Sequence, residues 1–401
     1  MKKVAEGTVG IKNAIQVNEA EVKAHLGELV RQSVEETING LLDAEADRLC
    51  QAKRYERKGT RADTRAGHYT RALQTQAGKV ALKVPKLRKL PFETQIIERY
   101  RRRESSVEEA LLEMYYAGVS MRRIEDITDA LWGSRVSPST ISELNQKVAG
   151  TIDQWRRQPL KGAYAYVWLD AIWLKRSWGG EVQNVSVLVG IGVNEEGYRE
   201  VLGIEEGARE DKESWKSFLK GLKARGLKGT ELFITDKCLG LVESIGEVYP
   251  EAKWQRCVVH WYRNVLGAAP RNKLKDVVAM LKAIHAQEDR AAALKKASEV
   301  EKKLLAMKLP KAAQIVKEGI EETLSYMSFP REHWLKIRTT NPLERINREI
   351  RRRTRVVGAF PDGNAAVLLV TARLRYIAGT RWGTKMYMDM KRLRGMKEEA
   401  A

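Results

Sequence analysis

Between residues 163 and 260 the apolar residues keep to strand and helix periods in a set order, and that order restricts the architectures open to the chain. AYAYVWL, NVSVLVGIGV and REVLGI are short runs rich in β-branched and aromatic residues. Turn signals at Gly179-Gly180 and from Asn194 to Gly197 separate them, so three strands are predicted. DKESWKSFLKGLKARG follows, with Trp215, Phe218, Leu219 and Leu222 on one helical face and Gly226 where a helix would stop. ELFIT predicts a fourth strand, LGLVESIGEVY a second helix and AKWQRCVVH a fifth strand.

Three strands, a helix, a strand, a helix and a strand is the order of a ribonuclease H-like mixed sheet. Such a sheet gathers acidic residues at the ends of its first and fourth strands. Here Asp170 follows AYAYVWL and Asp236 follows ELFIT. Their separation of 66 positions leaves room for a hairpin, a strand and a crossover helix. A third carboxylate, Glu344, lies 108 residues further on, beside Arg345, Arg348, Arg351, Arg352, Arg353 and Arg355. Phosphodiester chemistry without a covalent enzyme intermediate commonly uses two divalent cations, and Mg takes hard oxygen ligands. Asp170, Asp236 and Glu344 are therefore candidate catalytic and metal-ligating residues. Each also has an ordinary reading. Strand-end aspartates cap turns. Asn341-Pro342-Leu343-Glu344 fits a helix start with Asn as N-cap, Pro at N1 and Glu as the partner in a capping box. Arg345, Arg348 and Arg352 either pair with Glu344 and Glu349 or, since arginines outnumber those acids, contact phosphate near the scissile bond.

Charge points to the partner. Lys and Arg total 72 against 52 acidic residues, a net charge of +20, which suits an extended anion, above all nucleic acid. Sixteen basic side chains against four acidic ones fall between residues 53 and 103. Within that stretch RALQTQAGKVALKVPKL alternates around Ala77-Gly78 and predicts a β-hairpin with a basic edge. A solvated charged linker is the plain alternative. Residues 18 to 53 read as a helix, with Val22, Leu26, Leu29, Val30 and Val34 as its apolar stripe. Residues 106 to 149 read as three short helices, either a packing bundle or a helix-turn-helix. In the second case Ser139 and Thr140 lie near the start of the recognition helix.

Three cysteines suit a reducing compartment rather than a disulfide scaffold. No apolar segment follows the opening MKK, and no run approaches a membrane span, so a cytoplasmic protein without a membrane partner is expected. Cys257 and His260 form CVVH, only two of the four ligands a zinc site needs, and read as structural support. Arg256 and Arg263 flank them as further DNA contacts. From 271 to 335 the periodicity is helical throughout. The expected organisation is a helical and basic-hairpin DNA-binding region (1–105) and a helix-turn-helix-like region (106–150). An α/β catalytic core then occupies 161–268, with an all-α insertion (269–335) and core completion with C-terminal helices (336–401).

YVWLDAIWLK, NVSVLVGIGVNEEGYREVLG, GAREDKESWKSFL, FITDKCLGL, WQRCVVHWYRNV and TTNPLERINREIRRRTRVVGAFPD resemble Mutator-type bacterial insertion-sequence transposases, the insertion-sequence 256 family. The similarity runs over nearly the whole chain and is densest between 163 and 362. It implies a DDE active site on a ribonuclease H-like fold interrupted by a helical insertion, with the triad at Asp170, Asp236 and Glu344. It also implies two Mg ions, with Mn as a substitute. The double-stranded DNA partners are the terminal inverted repeats of a mobile element and the target. Strand cleavage leaves a 3′-hydroxyl, which is joined by transesterification. A homodimer is expected because two element ends must meet. Where Gly often follows the second aspartate in such proteins, Lys237-Cys238 intervenes here before Leu239-Gly240. The competing readings are a non-catalytic DNA-binding repressor derived from a transposase and a ribonuclease H-like nuclease that cuts without joining.

Overall fold

The computed structural model describes residues 19–97, 103–117, 119–178, 181–207, 211–357, 359–360 and 363–400. The expected turn at Gly179-Gly180 lies outside them. The chain divides into two compact units, one of residues 1–115 and 119–144, the other of 116–118 and 145–401.

The first unit opens with a 32-residue helix, α1 (Glu19–Cys50). An antiparallel hairpin follows, β1 (Arg65–Thr75) and β2 (Gly78–Leu87), turning at Gln76-Ala77. Gly78 has φ of 107°, which side-chain-bearing residues rarely adopt. Val34, Ile38 and Leu42 of α1 pack on Leu73, Val80, Leu82 and Val84 of the hairpin. The hairpin meets the apolar stripe of α1 only from Val34 onward, so Val22, Leu26, Leu29 and Val30 remain exposed. Then come α2 (Ser105–Ala117), α3 (Met121–Trp132) and the start of α4 (Pro138–Arg156). Ser120 caps α3 by accepting from Arg123 N, and Gly133 ends it in the left-handed conformation. Val107, Leu111, Ile124, Val136, Ile141 and Leu144 form the core these helices share.

The second unit carries the sheet. Its strands are β3 (Tyr166–Trp178), β4 (Glu181–Val193), β5 (Arg199–Gly207), β6 (Leu232–Thr235) and β7 (Lys253–Arg256), in the order β5-β4-β3-β6-β7. β4 runs antiparallel to both β5 and β3, while β3, β6 and β7 are parallel. The crossovers are α5 (Lys212–Ala224) and α6 (Leu239–Val248). Trp215, Phe218, Leu219 and Leu222 of α5 are buried against Val167, Leu169 and Ala171 of β3. A Cβ on Gly240 would lie 2.7 Å from the Lys212 backbone nitrogen, so the close approach of α6 to the start of α5 requires glycine there.

Two predicted strands differ in extent. The first does not end at Asp170. It continues to Trp178 because β4 pairs with it along its whole length, Asp170 lying opposite Val189. The fifth stops at Arg256, and CVVH belongs to the next element. Cys257 N donates the last bond, to Thr235 O, and helix α7 (Val258–Gly267) begins, burying Val258, Trp261 and Val265 at helical spacing.

α8 (Leu274–Ile284), α9 (Arg290–Ala306) and α10 (Pro310–Gly319) then form an all-helical segment, followed by short 3-10 turns and α11 (Trp334–Ile337). The chain returns to the sheet through α12 (Asn341–Val357) and β8 (Ala359–Phe360), which pairs with β3 at Lys175 and Arg176. α13 (Gly363–Ala378), α14 (Arg381–Thr384) and α15 (Lys391–Ala400) complete the unit. No described helix is long and apolar enough to cross a membrane.

Candidate active site

The parallel ladder between β3 and β6 pairs Tyr166 with Leu232, Val167 with Phe233 and Trp168 with Ile234. Its offset of 66 residues equals the separation of Asp170 and Asp236; β6 itself ends at Thr235, one residue before Asp236. In-register residues of a parallel pair share a face of the pleated sheet. Along β3 the side chains alternate. Val167, Leu169 and Ala171 point to the α5 and α6 layer, whereas Tyr166, Trp168 and Asp170 point to the opposite side. There Tyr166 meets His333, Trp168 Nε1 donates to Thr339 O, and Asp170 Oδ2 accepts from Asn347 Nδ2 at 2.6 Å. Asp170 Oδ1 accepts from Ala171 N, and Asp236 Oδ1 from Lys237 N.

α12 brings the third carboxylate. Thr340 O accepts from both Leu343 N and Glu344 N, so the residue before Asn341 closes the first turn. Glu344 therefore sits one position beyond that of a capping box, and its side chain is spent elsewhere. Its Oε1 lies 3.5 Å from His260 Nε2 and 3.9 Å from Arg263 Nη2. That oxygen is buried and makes no hydrogen bond. Thr340 N and Oγ1 both donate to Cys257 Sγ at 3.3 Å, and Val258 N donates to Arg338 O. These bonds staple the N-termini of α7 and α12 together. His260, one turn into α7, thereby faces Glu344, one turn into α12. Burial pushes the Cys257 thiol up, but hydrogen bonds with His260 and Thr340 outweigh it and hold the thiol below its usual range. His260 is raised, first by Cys257 beside it and also by the charge of Asp236, with burial opposing.

The structure thus places Asp170 on the side of the sheet that meets α12 through Asn347, and sets Glu344 beside His260, which also feels the charge of Asp236. Among the described residues no three His, Cys, Asp or Glu side chains lie close enough to hold a metal ion as a group. The Asn347 amide donates to Asp170 and the Lys237 N–H to Asp236, while His260 and Arg263 meet Glu344 only as ion pairs. In kind the donor set fits a hard divalent cation, since all three groups are carboxylates and one buried oxygen of Glu344 has no hydrogen bond.

The expected DNA contacts divide. Arg345, Arg348 and Arg352 are exposed on α12, Arg352 being paired with Glu349, and Arg263 is 60% exposed. Arg256 is only 6% exposed and bonded to Glu322, which also takes Lys237 Nζ, so it serves the fold instead of presenting itself to phosphate. In the first unit Ser139 is exposed, whereas Thr140 is 7% exposed and accepts from Arg103 Nη2, which removes its hydroxyl from base contact. Sequence reasoning missed Asn347 and Thr340. Asn347 stands three residues after Glu344, a helical spacing that puts it on nearly the same face, and that was the available signal. Thr340 gave none, because its partner is 83 residues away.

The family model described as "Transposase, Mutator family" matches residues 6–380, and the chain belongs to that family. The transposase for insertion sequence element ISRM5 of Rhizobium meliloti is 38% identical over 379 residues, 92% of this chain and 93% of the relative. The transposase for insertion sequence element IS256 in transposon Tn4001 of Staphylococcus aureus is 33% identical, over 84% of this chain and 87% of the relative. The transposase for insertion sequence element IS406 of Burkholderia multivorans is 36% identical, over 88% and 91%.

Proposed function

We propose that this transposase is a DDE enzyme with a ribonuclease H-like core, cutting and joining DNA strands at the terminal inverted repeats of a mobile element. The observation that carries the reading is the β3–β6 register, whose 66-residue offset equals the separation of Asp170 and Asp236, with Glu344 on the helix docked to Asp170 through Asn347. Asp170, Asp236 and Glu344 would hold two Mg ions. Bound there, divalent cations supply activation of the attacking oxygen and neutralise charge on the leaving one. The chain's own contribution is to fix the carboxylates. β3 carries Asp170 and Asp236 directly follows β6, the Cys257–Thr340 staple holds the start of the helix that carries Glu344, and Asn347 would fix the orientation of Asp170. The exposed arginines of α12 hold the phosphates beside these groups, and the basic hairpin and the helices of the first unit bind the element end. A dimer brings two ends together.

The test uses a duplex carrying an element end, with and without Mg, and the parent protein beside Glu344→Gln. The parent is expected to nick and join only with Mg. The variant should bind with the same affinity and lose both reactions by at least ~10³-fold. Cleavage at the parent rate by Glu344→Gln would remove Glu344 from the site. Nicking without joining by the parent would reduce the protein to a nuclease.

A further inference from the structure

On the face of the sheet that carries Asp170, two cations meet on one aromatic ring. The Arg199 guanidinium lies 4.5 Å from the Tyr387 ring centre and 4.8 Å from that of Trp382. Lys336 Nζ lies 5.2 Å from the Tyr387 ring and donates to Tyr387 O. Arg345 is near enough for its charge to be felt at both Arg199 and Tyr387. None of the three cations forms an ion pair with an acid among the described residues. The cation whose charge acts on Arg199 is Arg345, and on Lys336 it is Arg199. Arg199 Nη2 donates to Trp382 O, while its buried Nε has no hydrogen-bond partner.

Cation–π contact offsets part of the cost of partly burying Arg199 and Lys336, but it does not neutralise them. Three like charges gathered without a counter-charge form a site that gains by admitting an anion. Its place in the fold says which anion. Trp168, edge-on to Tyr387 at 6.3 Å between ring centres, is two residues before Asp170 on the same face of β3. Two residues of strand span about 7 Å. Arg345 directly follows Glu344 on α12.

We propose that Arg199 and Lys336, together with Arg345 from the exposed row of α12, form a phosphate pocket that grips the backbone of the DNA strand beside the position of cleavage. The proposal rests on the DDE reading only for the identity of the strand held. A backbone phosphate seated there fixes the strand against the sheet, with its neighbour directed toward Asp170. The aromatic rings orient the cations and exclude water from one side of the pocket.

The experiment is a methylphosphonate scan. Single backbone positions flanking the cut are neutralised one at a time in an element-end duplex, and binding is measured for the parent and for Lys336→Gln/Arg345→Gln. Neither substitution touches the Arg199–Trp382 bond, and unchanged thermal unfolding checks that the fold persists. The parent is expected to lose affinity at one or two positions, and the variant should be indifferent to neutralisation there. The variant's log K against log salt should also fall less steeply by about one phosphate equivalent. A stably folded variant with the parent's scan profile and salt slope would overturn the pocket. Arg199→Lys, which keeps the charge but not the planar stack, supplies a second reading: it should weaken binding at the same positions and no others. Mg-dependent nicking by the parent is followed in parallel. Nicking with an unaltered scan sinks the pocket alone, and a scan that changes without any nicking sinks the DDE reading alone.

Discussion

Asn347 is 2% exposed, and one end of its amide is spent on Asp170. Its Oδ1 is buried without a hydrogen bond, so the residue is held for what its nitrogen does. Removing that donor takes away one of the contacts that orient Asp170. Asn347→Ala is expected to slow single-turnover nicking by about 10- to 100-fold while end binding stays the same, the pattern of a group that orients a ligand without being one. Parent-like nicking by a folded Asn347→Ala would remove it from that role. Glu344 illustrates how local and distant influences divide at one position. Its helical setting and its arginine neighbours could be read from NPLERINREIRRR. That it stands past the capping position and faces His260 follows from Thr340, whose hydroxyl is turned to Cys257.

Among the elements, the helical segment between α7 and α12 carries its own pH sensitivity. His285, at the end of α8, is bonded at Nδ1 to Tyr262 and Leu281 O and at Nε2 to Thr323. Burial pushes its pKa down from 6.5 to about 4, so the folded protein keeps it neutral where the unfolded chain would bind a proton. The stabilisation is complete above pH 6.5 and is lost as pH falls toward 4, up to about 3 kcal/mol. Denaturant midpoints should therefore decline over that window, and His285→Gln should flatten the decline even if it lowers overall stability. A decline of equal steepness in both proteins would assign the acid sensitivity to other groups. Most of the elements were legible from their periods: α5 places Trp215, Phe218, Leu219 and Leu222 inward, as their spacing predicts. The misread ones were those whose ends depend on a partner strand. β3 runs past Asp170 because β4 is there to pair with it, and β7 ends where β6 ends.

Across the whole molecule, the net charge of +20 and the arginines left exposed on α12 make binding strongly dependent on salt. Affinity for an element-end duplex is expected to fall by roughly 10³-fold or more between 50 and 200 mM salt. A near-flat dependence would argue that base contacts, not phosphates, carry the binding. Sedimentation of the protein with a single-end duplex should yield complexes holding two copies and two ends. A complex of one copy with one end that nonetheless joins strands would rule out the dimer.

Residue type and short spacing were enough to read the periodic elements, the family and the basic character, and to single out three candidate carboxylates. Which side chains are left for chemistry was settled by folding. Arg256 and Thr140 looked available and are consumed by the fold, whereas Asn347, Arg199 and Lys336 carried no mark and stand at the site. The physical reason is that a polar group's role depends on what meets it after folding. Those partners, Glu322 for Arg256 and Asp170 for Asn347, come from 66 and 177 residues away, where no local pattern reaches.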